Sequence, residues 1–71
     1  MNNLFYKLLG ENIKTKRKER KLTQQDLADK IGMSLNFMGK IEVAFSKPSL
    51  DTLIEIANAL DTTVSDLCKF K

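Results

Sequence analysis

The sequence predicts an all-α protein, a compact five-helix bundle. Apolar residues recur at steps of three and four along most of the 71 residues, as they do on the buried face of a helix. Serine or threonine stands before four of the five apolar segments, where its hydroxyl can cap a helix N-terminus. No stretch alternates apolar and polar residues between hairpin turns, so no strand is predicted. Connections of a few residues between short helices favour a bundle.

The first helix is predicted from about residue 4 to residue 20. Its apolar face is formed by Phe5, Leu8, Leu9 and Ile13. The same face continues to Arg17, which places a charged residue on an otherwise apolar stripe.

A second helix is predicted to begin after Thr23 and to run to about Lys30. Thr23 and Asp26 have the spacing of a capping box. The inner face of this helix is formed by Leu27, Ala28 and Ile31. Gly32 follows at the position where a left-handed residue ends a helix, so the chain is expected to reverse there.

Three further helices are predicted after this turn. Ser34 caps the third, and Pro48 prevents its continuation. Its apolar positions are Phe37, Met38, Ile41 and Phe45. Ser49 caps the fourth, which has the most regular apolar stripe: Leu50, Leu53, Ile54, Ala57 and Leu60. Thr63 and Asp66 repeat the capping pattern of a short fifth helix through Val64, Leu67 and Cys68.

Composition excludes several kinds of site. The chain has no histidine and one cysteine, Cys68, which excludes a tetrahedral zinc site, a Cys/His nucleophile pair and an internal disulfide. No catalytic residues, metal or other cofactor are therefore expected. The N-terminal apolar residues lack the charged leader and cleavage site of a signal peptide, and no apolar run is long enough to span a membrane. We expect a cytoplasmic protein.

Positive charge is concentrated in the first two-thirds of the chain. Residues 1–47 contain ten Lys/Arg and five Asp/Glu, whereas residues 48–71 contain two and four. The densest basic run consists of Lys14, Lys16, Arg17, Lys18, Arg20 and Lys21. This pattern fits an anionic partner such as nucleic acid, and it also fits a helix face that is only solvated.

Residues 24–43 predict two short helices joined by a turn at Gly32, the arrangement of a helix-turn-helix. With its flanking segments, this region resembles the phage repressor and Cro (XRE-like) family of helix-turn-helix regulators. The matching segments are LTQQDLA at 22–28, KIG at 30–32, Ser34, KIE at 40–42 and KPSLDTLIEIANAL at 47–60. The resemblance covers roughly residues 8–68. It implies a lambda-repressor-like fold, with residues 1–71 forming a single DNA-binding domain.

The resemblance also implies that the third helix enters the major groove of double-stranded DNA. The positions that match the family's base-reading residues are Leu35, Asn36, Gly39 and Lys40. Asn36 can pair with adenine, Lys40 can donate to guanine, and Leu35 can cover a thymine methyl. Phe37, at the border of this face, either contacts DNA or packs inward. Predicted phosphate ligands are Gln24, which matches a phosphate-binding glutamine of the family, and Ser34, Lys47, Lys14 and Arg20.

Two charged residues have a structural role in the family. Arg17 and Glu42 match a partly buried Arg–Glu ion pair, which removes Arg17 from the predicted DNA contacts.

The sequence departs from the family at Val43 and Ala44, where a basic or polar residue followed by glycine is common. A left-handed turn there is less comfortable without glycine. Gly39 lies inside the third helix, at a cost of about 1 kcal/mol relative to alanine.

We expect a homodimer on a palindromic operator, because family members bind as twofold dimers. The predicted interface lies on the C-terminal helix, residues 63–70, and consists of Val64, Leu67, Cys68 and Phe70. The alternative is that these residues only close the core. The expected function is a repressor or a restriction-modification controller, without a small-molecule effector. The other functional class is a protein-interaction module, such as an antitoxin that presents Leu35 and Phe37 to a partner protein.

Overall fold

The computed structural model describes residues 3–70, and within this range the chain forms five α-helices and no strands. The helices are α1 (Asn3–Glu19), α2 (Gln24–Ile31), α3 (Leu35–Glu42), α4 (Leu50–Ala59) and α5 (Val64–Leu67). The predicted all-α bundle is confirmed. In the part of the chain described, no helix has both the length and the apolar character needed to cross a membrane.

The four predicted caps form. Each cap hydroxyl accepts a hydrogen bond from the backbone amide three residues later, and these caps are Thr23, Ser34, Ser49 and Thr63. At α2 the box is reciprocal: Asp26 N donates to Thr23 Oγ1 at 3.0 Å, and Thr23 N donates to Asp26 Oδ2 at 2.9 Å. This backbone hydrogen bond lowers the pKa of Asp26 below its ordinary value.

One hydrophobic core lies between the helices. The largest of its fully buried side chains are Leu9, Ile13, Leu27, Met38, Ile41, Ile56, Leu60 and Leu67. Helix α2 packs against α3 and α4, and α1 packs against α3 and α5. The motif helices α2 and α3 are therefore held from both sides by the rest of the bundle.

Three residues assigned to inner faces lie outside. Phe45 was expected on α3, but α3 ends at Glu42 and the Phe45 side chain is 77% exposed in the following turn. Leu50 and Ile54 of α4 are 66% and 43% exposed. The inner-face assignment is wrong for all three. Only one stripe of α4 reaches the core, so apolar residues beside that stripe remain in solvent.

The C-terminal segment closes the core against α1. Leu67 is 1% exposed, and the Phe70 ring meets the Phe5 ring edge to face at 5.3 Å between centroids. Asn12 Nδ2 donates to the carbonyls of Leu67 at 2.8 Å and Lys69 at 2.9 Å. Leu67 is therefore a core residue of its own chain, which leaves its side chain little surface for the predicted dimer contact.

The remaining members of the predicted dimer interface are also largely used within the chain. Val64, Cys68 and Phe70 are half-buried and pack against the core. They leave little apolar surface for a partner, because α5 is only four residues long and rests on α1 and α4.

Candidate nucleic-acid interface

The outward face of α3 carries the four predicted base-reading residues. Leu35 and Asn36 are exposed, and Gly39 and Lys40 are half-buried. Together with three further residues they line one shallow groove, and those three are Gln24, Val43 and Phe45. The opposite face of α3 is anchored in the core by Met38 and Ile41. The buried face of α3 therefore fixes the position of an outward face that carries both polar and apolar side chains.

Two border residues of α3 are used within the protein. Phe37 is half-buried and packs against the core, so the structure favours the inward alternative of its two predicted roles. The Ser34 hydroxyl accepts from Phe37 N at 3.0 Å as the N-cap of α3. This bond uses an oxygen lone pair and leaves the hydroxyl hydrogen available as a donor.

Gly39 is not required by packing within the chain. A Cβ atom on Gly39 would lie 3.7 Å from Gln24 Oε1, which is an ordinary van der Waals distance. The residue does not occupy a left-handed conformation. Gly39 lines the same groove as Asn36 and Lys40, and it adds no side chain between them.

The turn after α3 adds an aromatic residue to the groove. Ala44 adopts a left-handed conformation with φ of 65°, at the position where the family commonly has glycine. The turn is closed by Phe45 N and Ser46 N, which donate to the Lys40 carbonyl at 2.8 and 3.1 Å. The Phe45 ring lies 5.6 Å from Lys40 Nζ, close enough for a cation–π contact. Sequence analysis missed Phe45 as a surface residue because helical periodicity continued past the end of α3.

A second groove, between α1 and the end of α3, brings predicted phosphate ligands together. Gln24 and Lys14 both line it, and Lys7 joins them from the same side of α1. Gln24 and Val43 line both grooves, so the two grooves adjoin. Lys7 was not among the predicted phosphate ligands, although its spacing of seven residues from Lys14 places both on one helix face.

Arg20, another predicted phosphate ligand, lines neither of the two grooves. Its Nε donates to the Leu60 carbonyl at 3.0 Å and its Nη2 to the Asp61 carbonyl at 3.2 Å. These are carbonyls at the carboxyl end of α4, where a cation also interacts favourably with the helix dipole. We therefore withdraw Arg20 from the phosphate ligands. Lys47 Nζ lies 5.2 Å from the centre of the Tyr6 ring, near the start of α1.

A buried ion pair joins α1 to α3. Arg17 Nε donates to Glu42 Oε2 at 2.7 Å, and Arg17 Nη2 donates to Glu42 Oε1 at 3.1 Å. The side chains are 8% and 1% exposed. Arg17 Nη1 also donates to the Leu22 carbonyl at 2.7 Å, and Gln24 Nε2 donates to Glu42 Oε1 at 2.9 Å. These bonds replace the water that both charges lose on burial.

Helix α1 makes its closest approach to α3 at Gly10. A Cβ atom on Gly10 would lie 2.5 Å from the Glu42 carbonyl oxygen and 2.7 Å from that of Ile41. No side chain fits there, because both neighbouring atoms belong to the backbone. Gly10 thus sets the depth at which the carboxyl end of α3 rests on α1. The sequence signal for this role of Gly10 was its position inside a predicted helix, where glycine is unfavourable.

The chain is similar to proteins of known families and structures. The helix-turn-helix family model matches residues 13–67. The chain is 47% identical over 57 residues to the immunity repressor protein of Bacillus phage phi105, which covers 80% of this chain and 40% of the repressor. It is 35% identical over 60 residues to the control protein C.SmaI of Serratia marcescens, which covers 84% of this chain and 71% of the control protein.

A solved structure has the same architecture. The restriction-modification controller protein C.AhdI of Aeromonas hydrophila superposes with a TM-score of 0.84 at 26% identity, over 87% of this chain and 94% of the controller. The names of these relatives describe a repressor and controllers, not enzymes. The chain spans about half the length of several other curated relatives that it matches.

Proposed function

The chain belongs to the helix-turn-helix family, as its resemblance to phage repressor and Cro proteins predicts, and from this premise we propose that it is a transcriptional repressor whose α3 reads double-stranded DNA. The observation that carries the proposal is the outward face of α3. Asn36, Gly39 and Lys40 of this face line one exposed groove together with apolar side chains, while the opposite face of α3 is held in the core. The major groove is wide enough to admit such a helix.

Base reading is assigned to three side chains on that face. Asn36 offers an amide donor and acceptor that match adenine, and Lys40 offers a cationic donor to guanine. Leu35, at the first turn of α3, covers a thymine methyl. Gly39 lets the backbone approach the base edges between them. Leu35 and Asn36 lie in the N-terminal half of α3, the part of a recognition helix that contacts base edges in this motif, and Lys40 lies about one turn further on.

Phosphate binding is assigned to the groove beside α3. Gln24 and Lys14 line this groove, and we add Lys7 from the structure. Contacts of this kind hold the protein in register on the duplex without reading its sequence. Lys47 and Ser34 stay in the proposal, at the turn after α3 and at its N-terminus.

Variants of α3 test this assignment. We expect Asn36→Ala and Lys40→Ala each to weaken operator binding by about 5- to 150-fold, because one good base contact contributes about 1–3 kcal/mol. Each should also relax the base preference at one operator position. The measurement is selection from random duplexes followed by titration at fixed salt. Asn58→Ala and Lys69→Ala are matched controls, since both residues are exposed and outside the two grooves.

Unchanged affinity and base preference in both α3 variants would contradict the assignment. Gln24→Ala should instead weaken binding to all sequences by a similar factor. Salt distinguishes DNA binding from the antitoxin alternative, because phosphate contacts make DNA affinity fall by orders of magnitude between low and moderate salt. Binding of a partner protein through Leu35 and Phe37 would survive that change.

We place the dimer contact on α4 rather than on α5. Leu50 and Ile54 are one helical turn apart and exposed, whereas Leu67 is buried. The charged residues beside them, Asp51 and Glu55, are acidic and would repel DNA. An apolar patch is complementary to its own copy across a twofold axis, with the acidic residues at the rim. A second copy of this chain is therefore the proposed occupant.

Introducing negative charge at Leu50 and Ile54 should weaken the proposed dimer. We expect Leu50→Glu combined with Ile54→Glu to weaken dimerisation at least tenfold, because carboxylates would be buried opposite carboxylates. Sedimentation equilibrium measures this change directly. Leu35→Glu is the control: it should abolish DNA binding and leave the dimer intact. A double variant that remains as dimeric as the native chain would refute the α4 interface.

A further inference from the structure

The buried ion pair of Arg17 and Glu42 is hydrogen-bonded to Gln24, a predicted DNA ligand that lies partly at the surface. The Glu42 carboxylate accepts three hydrogen bonds, two from Arg17 and one from Gln24 Nε2. Its side chain is almost completely buried, while Gln24 is half-buried and lines both grooves of the interface. One residue of the core is thus bonded directly to a residue of the interface.

The chemistry of Glu42 determines how the Gln24 amide is oriented. An ionised carboxylate only accepts hydrogen bonds, so the side of the amide that faces it must be the NH₂ group. Arg17 donates two charge-assisted hydrogen bonds to the same carboxylate, one to each oxygen. The amide oxygen then lies on the side of Gly39, 3.7 Å from the point that a Cβ atom of that residue would occupy. Gln24 Nε2 retains one hydrogen that is not bonded to Glu42.

We propose that Glu42, held by Arg17, is a positioning residue that fixes the Gln24 amide before DNA arrives, so that its remaining Nε2 hydrogen donates to a phosphate oxygen. This inference rests on the proposed DNA-binding function. A free glutamine would have to give up several rotamers and both amide orientations on binding. Ordering it in advance removes that entropic cost, which corresponds to about a two- to tenfold gain in affinity.

The proposal explains why a buried pair between α1 and α3 is bonded to the first residue of α2. Within the bundle, Arg17 already donates one hydrogen bond to each Glu42 oxygen. The third bond adds no buried contact between hydrophobic residues. It does hold the N-terminus of α2 and the carboxyl end of α3 in one arrangement, with Lys14 lining the same groove.

A double-mutant cycle tests the inference. One change is Gln24→Ala; the other replaces the pair as a unit, Arg17→Met with Glu42→Leu. The unit replacement leaves net charge unchanged, so long-range attraction to DNA is the same. We expect it to weaken operator binding about fivefold in the native background and less than twofold in the Gln24→Ala background. Affinities are measured at one salt concentration, and circular dichroism verifies that each variant is folded.

Equal weakening in both backgrounds would overturn the inference, because a merely structural role of the pair does not depend on Gln24. A Gln24→Ala variant with native affinity, beside a weakened Asn36→Ala variant, would also overturn it while leaving the proposed function intact. Native protein that binds no duplex would overturn both.

A second measurement needs no variant. In the DNA-free protein we expect the side-chain ¹⁵N order parameter of Gln24 to approach that of rigid backbone, about 0.85. A value below about 0.6, typical of flexible groups, would overturn the inference even if the pair replacement failed to fold.

Discussion

Glu42→Leu is expected to lower the free energy of unfolding by about 3–5 kcal/mol, because it leaves the Arg17 guanidinium buried without its counter-ion. Both side chains lie in the interior, and Glu42 is the only carboxylate bonded to Arg17 among the described residues. Urea denaturation of the variant beside the native chain measures the loss. For a domain of this size, such a loss is a large part of the total stability.

The sharper expectation is that a second substitution restores the stability. Adding Arg17→Met to Glu42→Leu removes the stranded charge and fills the space with apolar atoms, as buried ion pairs often tolerate. We expect most of the loss to be recovered, apart from about 1 kcal/mol for the Leu22 carbonyl that Arg17 no longer binds. If Arg17→Met destabilised the Glu42→Leu variant further, burial of an unpaired charge would not be the cause.

Gly10→Ala is expected to destabilise the protein by about 3 kcal/mol, although alanine is the better helix former by about 1 kcal/mol. The new Cβ would lie 2.5 Å from the Glu42 carbonyl oxygen, so α1 and α3 must separate. This separation would also pull Glu42 away from Arg17. We therefore expect operator affinity to fall along with stability, measured by denaturation and by titration of the folded fraction.

Gly39→Ala is the matched control for stability. It makes the same substitution inside another helix, but the new Cβ would have an ordinary contact distance of 3.7 Å to Gln24 Oε1. Here alanine should raise stability by about 1 kcal/mol. If both variants were stabilised, the contact between α1 and α3 would be looser than the carbonyl distances indicate.

Local features of the sequence predicted most of the secondary structure. Each cap depends on a hydroxyl and an amide three residues apart, so Thr23 and Ser34 mark helix starts without knowledge of the fold. Gly32 marks the turn because its left-handed conformation, with φ of 69°, suits glycine. Within α3 the apolar period separated the buried Met38 from the exposed Asn36.

Expectation and structure differ where one side chain had two possible environments. Phe45 and Leu50 continue the helical period of their neighbours, yet they lie in solvent because no other element reaches them. Leu67 was assigned to a partner and is covered by its own chain. Arg20 belongs to a basic run but binds carbonyls at the end of α4. For Leu67 and Arg20 the deciding neighbours are distant in sequence: α1 packs against α5, and the Leu60 and Asp61 carbonyls accept from Arg20.

The sequence by itself determined where the capped helices begin, which residues of α3 face outward and which family the chain resembles, because all three depend on residues close together along the chain. Only the tertiary structure decided how α1 meets α3 at Gly10, that Glu42 bonds to Gln24, and that Lys7 and Lys14 of α1 share a groove with Gln24 of α2. These contacts depend on helix crossing distances, which are set by side-chain packing across the whole core and by no local pattern.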